Sequence, residues 1–223
     1  SFDAWIKFYR PDENSANATV SYYAKGALLA LALDLQLRER GASLDALLRA
    51  LWERYGRSGE GMGEEAPFAV LHEMAGSRLA RWLERMVQGT EDPPLAALLR
   101  RFGVQWREIA AALPDTGLRF ERDSMRVAAV RRASPAEGAG IAPRDELVAI
   151  DRLKATPAQW ESVLRRRGAG ARVPVHAFRE GRLYEAVLEL APPALERVEL
   201  ALAPRPTAQQ RKRLNSWLRL AAP

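Results

Sequence analysis

The sequence has no cysteine and only two histidines among its 223 residues. Without cysteine, disulfide bonds, thiolate zinc sites and cysteine nucleophiles are all excluded. This composition suits an oxidising compartment, so we expect a periplasmic or cell-envelope location rather than a cytoplasmic one. Long apolar runs are also absent, because the longest, at 27–33, ends at Asp34 and falls short of the roughly 18 residues that a membrane-spanning helix needs. The sequence therefore predicts no membrane span.

Lysine is scarce as well, since only four of the 34 basic residues are lysine and the rest are arginine. The net charge of +6 would suit a nucleic-acid binder. However, the arginines are spread along the chain and alternate with acidic residues, as at 78–85, which is typical of a solvated helix face. We therefore predict no nucleic-acid partner.

Residues 19–113 have the periodicity of α-helices. Apolar residues recur every three or four positions from Val20 to Leu35, as on the buried face of a helix. A second helix is predicted to begin after Ser43, a favoured N-cap, and to stop at Gly56. Further helices are predicted near 67–74, 77–88 and 95–102. The first 113 residues are therefore predicted to form an all-α module.

The pattern changes near Pro114, because short apolar runs separated by turn residues predict β-strands from Gly117 onward. One helix interrupts these strands, with Thr156 as its predicted N-cap and Pro157 as its first residue. The fold class is therefore predicted as multi-domain, α plus α+β. The predicted domains are 1–113, a helical module; 114–193, an α+β domain; and 194–223, a terminal strand and helix.

The stretch V-A-A-V-R-R-A-S-P-A-E-G-A-G-I-A-P-R-D-E-L-V-A-I-D at 127–151 resembles the PDZ domains of bacterial proteins. It has that family's order of strand, S-P-A turn, short helix, turn and strand, although Arg144 stands where the family usually has glycine. The resemblance implies that a loop just upstream of this stretch binds the carboxylate of a peptide's C-terminus, and that the peptide then pairs with the sheet edge. In this sequence the matching loop residues are Thr116, Gly117 and Leu118. Alternatively, the loop only begins a strand and the groove is empty or filled by the protein itself.

The run K-F-Y-R-P-D-E-N-S-A-N-A-T-V-S-Y-Y-A-K-G-A-L-L-A-L-A-L-D-L at 7–35 resembles the glycyl aminopeptidases, a family of zinc metallopeptidases that end in a PDZ domain. The order of parts agrees over the whole chain: this run, then helices with G-T-E-D-P-P-L at 89–95, then the PDZ-like stretch. The resemblance implies that the helical module is the C-terminal half of a thermolysin-like aminopeptidase catalytic domain. The complete enzyme would release small N-terminal residues, glycine or alanine, from peptide substrates.

The zinc ligands of that family, an H-E-x-x-H helix and a downstream glutamate, are not in this sequence. His72 and Glu73 begin such a motif, but Gly76 stands where the second histidine should be, and His176 is far away in the chain. By family order the ligands would lie upstream of Ser1, where the chain starts without an initiator methionine. We therefore expect zinc in a longer parent enzyme, no metal or other cofactor in this chain, and no activity of this chain alone.

The Y-x-K-G pattern at Tyr23, Lys25 and Gly26 resembles the Y-E-K-G motif of the related aminopeptidase N family, with Ala24 in place of its glutamate. The resemblance implies that the Tyr23 hydroxyl stabilises the oxyanion of the tetrahedral intermediate. Tyr22 is the rival candidate, and both tyrosines could instead be packing residues.

The predicted substrate-binding residues are Arg10, Glu13, Lys25 and Gly26. Arg10 and Glu13 lie in a polar loop that would border the active-site cleft by family resemblance, or that could be an ordinary turn. An alternative to the peptidase hypothesis is a non-catalytic PDZ scaffold that binds the C-termini of other proteins.

Overall fold

The computed structural model describes residues 2–59 and 61–218. The helices are α1 (Phe2–Tyr9), α2 (Ser15–Ala18), α3 (Tyr22–Arg38), α4 (Leu44–Leu51), α5 (Ala66–Ala75), α6 (Ser77–Gln88), α7 (Leu95–Arg101), α8 (Pro135–Gly138), α9 (Pro157–Arg167) and α10 (Ala208–Leu218). The strands are β1 (Val104–Ala110), β2 (Leu118–Phe120), β3 (Val127–Val130), β4 (Glu146–Ile150), β5 (Leu153–Lys154), β6 (Arg172–Arg179), β7 (Arg182–Glu189) and β8 (Leu195–Leu202). A π-helical turn, Trp52–Gly56, follows α4. Within the two described ranges, no helix is both long and apolar enough to cross a lipid bilayer.

The chain divides into two compact units, and each is built from two separate parts of the sequence. The helical unit contains Tyr22–Arg107 and the chain from Glu199 onward. The strand-rich unit contains the residues up to Ser21 together with Glu108–Val198. Strands β1 and β8 pair with each other, and both units take residues from this two-stranded sheet.

Helix α3 is the central element of the helical unit because its apolar side chains point in two directions. Leu33 and Leu37 pack with buried residues of α4, α5 and α6. Ala32 and Leu35 pack with buried residues of α7 and α10. A helix that is apolar on more than one face is stable only when neighbours cover it on several sides. The sequence of α3 therefore places it between two groups of helices.

Two predicted helix starts are confirmed by their side-chain hydrogen bonds. The Ser43 hydroxyl accepts a hydrogen bond of 3.2 Å from the Ala46 amide at the start of α4. The Thr156 hydroxyl accepts one of 3.1 Å from the Gln159 amide at the start of α9. Such caps satisfy backbone donors that the first helical turn leaves open. The N-cap residue and the local sequence after it were enough to locate both helix starts.

The strand-rich unit contains a four-stranded antiparallel sheet, in the order β5-β4-β6-β7, and the antiparallel pair β2-β3. Buried side chains from these strands and from α9 form one core, in which the rings of Phe120 and Trp160 meet edge to face at 5.1 Å. From β2 to β7, the unit has the order of strands, short helix and longer helix that the PDZ resemblance implies.

The all-α character expected for residues 1–113 is not confirmed. Val104–Ala110 is a strand, and it pairs with Leu195–Leu202 rather than extending the preceding helix. Gly103 ends the helical segment with a φ of 73°, a left-handed conformation that glycine adopts without strain. The chain therefore changes direction at Gly103, and β1 can pair with β8. The domain boundaries at 113/114 and 193/194 remain a prediction.

Candidate functional site

The two candidate tyrosines form the first residues of α3, and they differ in exposure. Tyr23 is 60% exposed, whereas Tyr22 is half-buried and its hydroxyl oxygen is inaccessible to solvent. The two rings lie 4.4 Å apart between centroids, with their planes tilted by 34°. An oxyanion donor must reach the substrate, so the exposed side chain of Tyr23 has the better position for that role.

Lys25 of the Y-x-K-G pattern contacts the G-T-E-D-P-P-L stretch at 89–95. Its ammonium group donates a hydrogen bond of 3.2 Å to the backbone carbonyl of Glu91, which belongs to the G-T-E-D-P-P-L stretch. The contact links residues 66 positions apart. Lys25 therefore holds the 89–95 segment beside the start of α3, a role that the sequence analysis did not identify.

Gly26 is exposed, and a methyl group added to its Cα would meet nothing within 4 Å among the described residues. A neighbouring backbone that approaches closely can require glycine early in a helix. No backbone among the described residues approaches Gly26 in this way. Close approach by a substrate stays a prediction.

The polar loop with Arg10 and Glu13 is an ordered turn in the strand-rich unit. The carboxylate of Asp12 accepts hydrogen bonds from the Asn14 amide at 2.9 Å and the Ser15 hydroxyl at 3.0 Å. Glu13 contacts the guanidinium of Arg144 at 3.2 Å, and Arg10 is exposed. The structure thus places Arg10 and Glu13 in one turn, which the Asp12 side chain shapes.

In the predicted carboxylate-binding loop, two backbone amides already donate hydrogen bonds to side chains of the same segment. The Gly117 amide donates to the Asp115 carboxylate at 2.9 Å, and the Leu118 amide donates to the Thr116 hydroxyl at 3.3 Å. The Asp115 carboxylate also pairs with the guanidinium of Arg131. A peptide carboxylate would have to displace these internal acceptors. This arrangement favours the alternative in which the loop is a structural strand start.

Gly117 also fits tightly against Ser134, which caps α8. Gly117 has a φ of 74°, and a Cβ built on it would lie 2.1 Å from the Ser134 Cβ. Ser134 is itself buried and accepts a hydrogen bond from the Glu137 amide. Only glycine therefore fits at this position, because a side chain would meet both backbone strain and a steric overlap.

We expect Gly117→Ala to lower the free energy of unfolding by about 2–5 kcal/mol, the sum of about 1–2 for the left-handed conformation and about 1–3 for overpacking. Urea unfolding monitored by tryptophan fluorescence measures this loss. Gly140→Ala is the matched control, because Gly140 has a φ of 75° but none of the described residues lies within 4 Å of a built Cβ. Equal losses in the two variants would show that the contact with Ser134 relaxes freely.

The two histidines lie in different units, and within the described part of the chain neither belongs to a group of side chains that could hold zinc. His72 is exposed on α5, and the neighbouring Glu73 forms a two-bond ion pair with Arg54, at 2.6 and 3.0 Å. His176 is half-buried on β6 opposite Glu185. Within the described ranges, no three histidine or acidic side chains lie close enough to hold a metal ion. These residues do not fit a zinc site of the glycyl aminopeptidase type.

A buried carboxylate, Asp145, directly follows Arg144 in the PDZ-like stretch 127–151. Its side chain is 1% exposed and accepts hydrogen bonds from the Arg179 guanidinium, the Tyr184 hydroxyl and the Ala142 amide. Burial alone would raise the pKa of Asp145, but these hydrogen bonds outweigh it and the pKa lies below its ordinary value. Burial and the adjacent carboxylate raise the pKa of Tyr184 to about 12. Asp145 therefore stabilises the turn before β4, and the sequence analysis did not identify its burial or its partners.

Comparison with known proteins gives two informative matches. Residues 1–29 match the family model described as M61 glycyl aminopeptidase. The crystal structure of an aminopeptidase N family protein from Idiomarina loihiensis is 30% identical and matches with a TM-score of 0.83, covering 98% of this chain and 39% of that chain. The chain therefore spans about two fifths of the length of this relative. These findings confirm the resemblance to glycyl aminopeptidases.

More distant structures were also found. A variant of the HtrA-type protease AlgW with a decapeptide is 19% identical, with a TM-score of 0.33 over 43% of this chain and 31% of that chain. A serine endoprotease from Yersinia pestis is 18% identical, with a TM-score of 0.32 over 35% of this chain and 29% of that chain. No curated protein sequence matches the chain significantly.

Proposed function

We propose that this chain is the C-terminal part of a zinc-dependent aminopeptidase that releases glycine or alanine from the N-termini of peptides. The observation that carries the proposal is the match to an aminopeptidase N family structure over 98% of the chain. The M61 glycyl aminopeptidase match supports it, because residues 1–29 include the Y-x-K-G pattern at Tyr23, Lys25 and Gly26.

In this proposal Tyr23 supplies the hydrogen bond that stabilises the oxyanion. A phenol is neutral at pH 7 and can donate one hydrogen bond to a developing negative charge. Tyr23 is 60% exposed at the start of α3, where a substrate can reach its hydroxyl. Arg10 and Glu13 would contact the substrate through their charges, and Gly26 would leave room for it.

The zinc ion would be held by other residues of the complete protein, because the described residues here do not fit a zinc site. When bound, zinc would polarise the scissile carbonyl and activate a water molecule. The present chain would contribute the oxyanion donor and substrate contacts, and alone it would be inactive.

As a second proposal, the PDZ-like part of the chain binds a peptide or regulates the enzyme. The non-catalytic scaffold alternative requires a loop that is open to a peptide carboxylate. It has less support, because Asp115 and Thr116 already accept hydrogen bonds from the loop amides.

Hydrolysis of glycyl- and alanyl-anilides by the complete protein tests the proposed function. We expect activity that a chelator removes and that added zinc restores, with no activity of the 223-residue chain alone. A folded, zinc-loaded complete protein without hydrolysis of either substrate would contradict the proposal and favour the scaffold alternative.

We also propose a periplasmic or cell-envelope location, which the lack of cysteine favours. Fractionation of cells that produce the complete protein tests this location. Recovery in the cytoplasmic fraction would contradict it.

A further inference from the structure

The strand β3 has two edges, and only one of them pairs with β2. The Arg131 amide donates to the Gly117 carbonyl at 2.8 Å, and Ala129 lies opposite Arg119 in the same antiparallel pair. Because backbone groups alternate along a strand, the Val130 carbonyl and the Arg132 amide point away from β2. These two groups need a different partner.

The side chain of Asn17 is that partner. Its amide nitrogen donates to the Val130 carbonyl at 2.8 Å, and its oxygen accepts from the Arg132 amide at 2.8 Å. One carboxamide thus takes the place that the peptide group of a neighbouring strand would have. Among the side chains, only those of asparagine and glutamine offer an amide donor and a carbonyl acceptor together. Asn17 therefore attaches its turn to a sheet edge more than a hundred residues away in the chain.

A second contact joins the same turn to Arg144, which lies just before β4. Arg144 contacts Glu13 at 3.2 Å, and its own amide donates to the Val127 carbonyl at 2.7 Å. Arg144 has a φ of 74°, a left-handed conformation in which a non-glycine residue is strained. An arginine at this strained position provides the charge that reaches Glu13.

We propose that Asn17 is a positioning residue, which fixes the segment 10–18 on the outer edge of β3 and so holds Arg10 and Glu13 in place for the substrate. The inference rests on the proposed function for its catalytic consequence. The attachment itself is independent of that function, because it depends only on the Asn17, Val130 and Arg132 contacts. In this view the PDZ-like sheet binds a segment of its own chain.

Hydrogen exchange of the 223-residue chain, followed by NMR, tests the attachment. Asn17→Ala removes both hydrogen bonds, so we expect the protection factor of the Arg132 amide to fall by about tenfold or more. Asn17→Asp retains an acceptor for Arg132 but places a second acceptor opposite the Val130 carbonyl, and an intermediate loss is expected. Unchanged protection in α9 shows that both variants are folded.

Asn14→Ala is the matched control, because the Asn14 side chain contacts Asn17 within the turn at 3.1 Å and leaves the bonds to β3 intact. We expect less than a twofold change in the protection of the Arg132 amide. Wild-type protection of this amide in Asn17→Ala would overturn the proposed attachment.

Kinetics of the complete protein test the positioning role. We expect Asn17→Ala to raise KM for a glycyl-anilide about tenfold and to change kcat less than twofold, because substrate contacts and not the oxyanion donor are displaced. If the Arg132 amide exchanged faster in Asn17→Ala but KM stayed at the wild-type value, Asn17 would have a structural role only and the proposed positioning role would be overturned. A wild-type protein without hydrolysis would instead overturn the proposed function, and the exchange experiment would still decide the attachment.

Discussion

Replacing Tyr23 by phenylalanine in the complete protein is expected to lower kcat by about 10²–10³, the usual effect of removing one oxyanion donor. Phenylalanine preserves the ring, so the stacking with Tyr22 at 4.4 Å should remain. Because the hydrogen bond forms with the charge of the transition state, KM should change much less than kcat. Steady-state hydrolysis of a glycyl-anilide with the zinc-loaded protein measures both constants.

Two further tyrosine variants make the result specific. Tyr9→Phe is the matched control, because Tyr9 is 57% exposed and lies on α1 outside the Y-x-K-G pattern. It should retain wild-type kcat. Tyr22→Phe removes a buried hydroxyl, so its main expected effect is on the free energy of unfolding. A near-wild-type rate in Tyr23→Phe with a large loss in Tyr22→Phe would move the oxyanion role to Tyr22.

Elements with strong local signals could be predicted from the sequence. Ser43 and Thr156 mark helix starts because their hydroxyls bond to amides three residues later, within the same segment. Val104–Ala110 was missed as a strand because its partner, Leu195–Leu202, lies far along the chain. Its alternating Val104 and Trp106 were the available signal, but a short run after a helix is ambiguous until its partner is known.

The candidate site shows the same division between local and distant information. Family resemblance made Tyr23 and Lys25 candidates, but the sequence could not show that Tyr23 is exposed or that Lys25 bonds to the Glu91 carbonyl. The contacts of Asn17 with Val130 and Arg132 span more than a hundred residues, so no local pattern predicts them. Residue types were readable from the sequence, whereas their partners required the fold.

Asp145→Ala is expected to lower the free energy of unfolding by about 3 kcal/mol. The loss combines two hydrogen bonds from the charged Arg179 with one each from Tyr184 and the Ala142 amide. It lies at the lower end of the range for a broken buried ion pair, because the Arg179 side chain is 46% exposed and water can solvate it. In a chain of this length the melting temperature should fall by roughly 6–12 °C.

Glu121→Ala is the matched control for charge removal in the same unit. Its ion pair with Arg126, at 3.6 Å, has both side chains 51% exposed, so the expected change is within about 0.5 kcal/mol. Urea unfolding of both variants at pH 7 measures the difference. Similar small losses in the two would show that water replaces the hydrogen bonds of Asp145 at little cost.

The stabilisation from Asp145 should also depend on pH, and the lowered pKa of its carboxyl means that it weakens as pH falls. A folded-state pKa below the ordinary value means that the ionic contribution is complete above the unfolded pKa of about 4 and is lost as pH falls through the folded pKa. Tyr184 acts at the opposite end, since its pKa of about 12 exceeds the unfolded value of about 10. Its contribution is complete below pH 10 and is lost as pH rises through 12.

Between about pH 5 and pH 10, the difference in unfolding free energy between wild type and Asp145→Ala should therefore be constant, and it should narrow below pH 4. Urea unfolding of both proteins at pH 7, 5 and 3 gives this difference directly. A difference that stays unchanged at pH 3 would show that Asp145 stabilises the turn through the shape of its side chain. A difference that narrows would identify its negative charge, held by Arg179, as the stabilising feature of the turn.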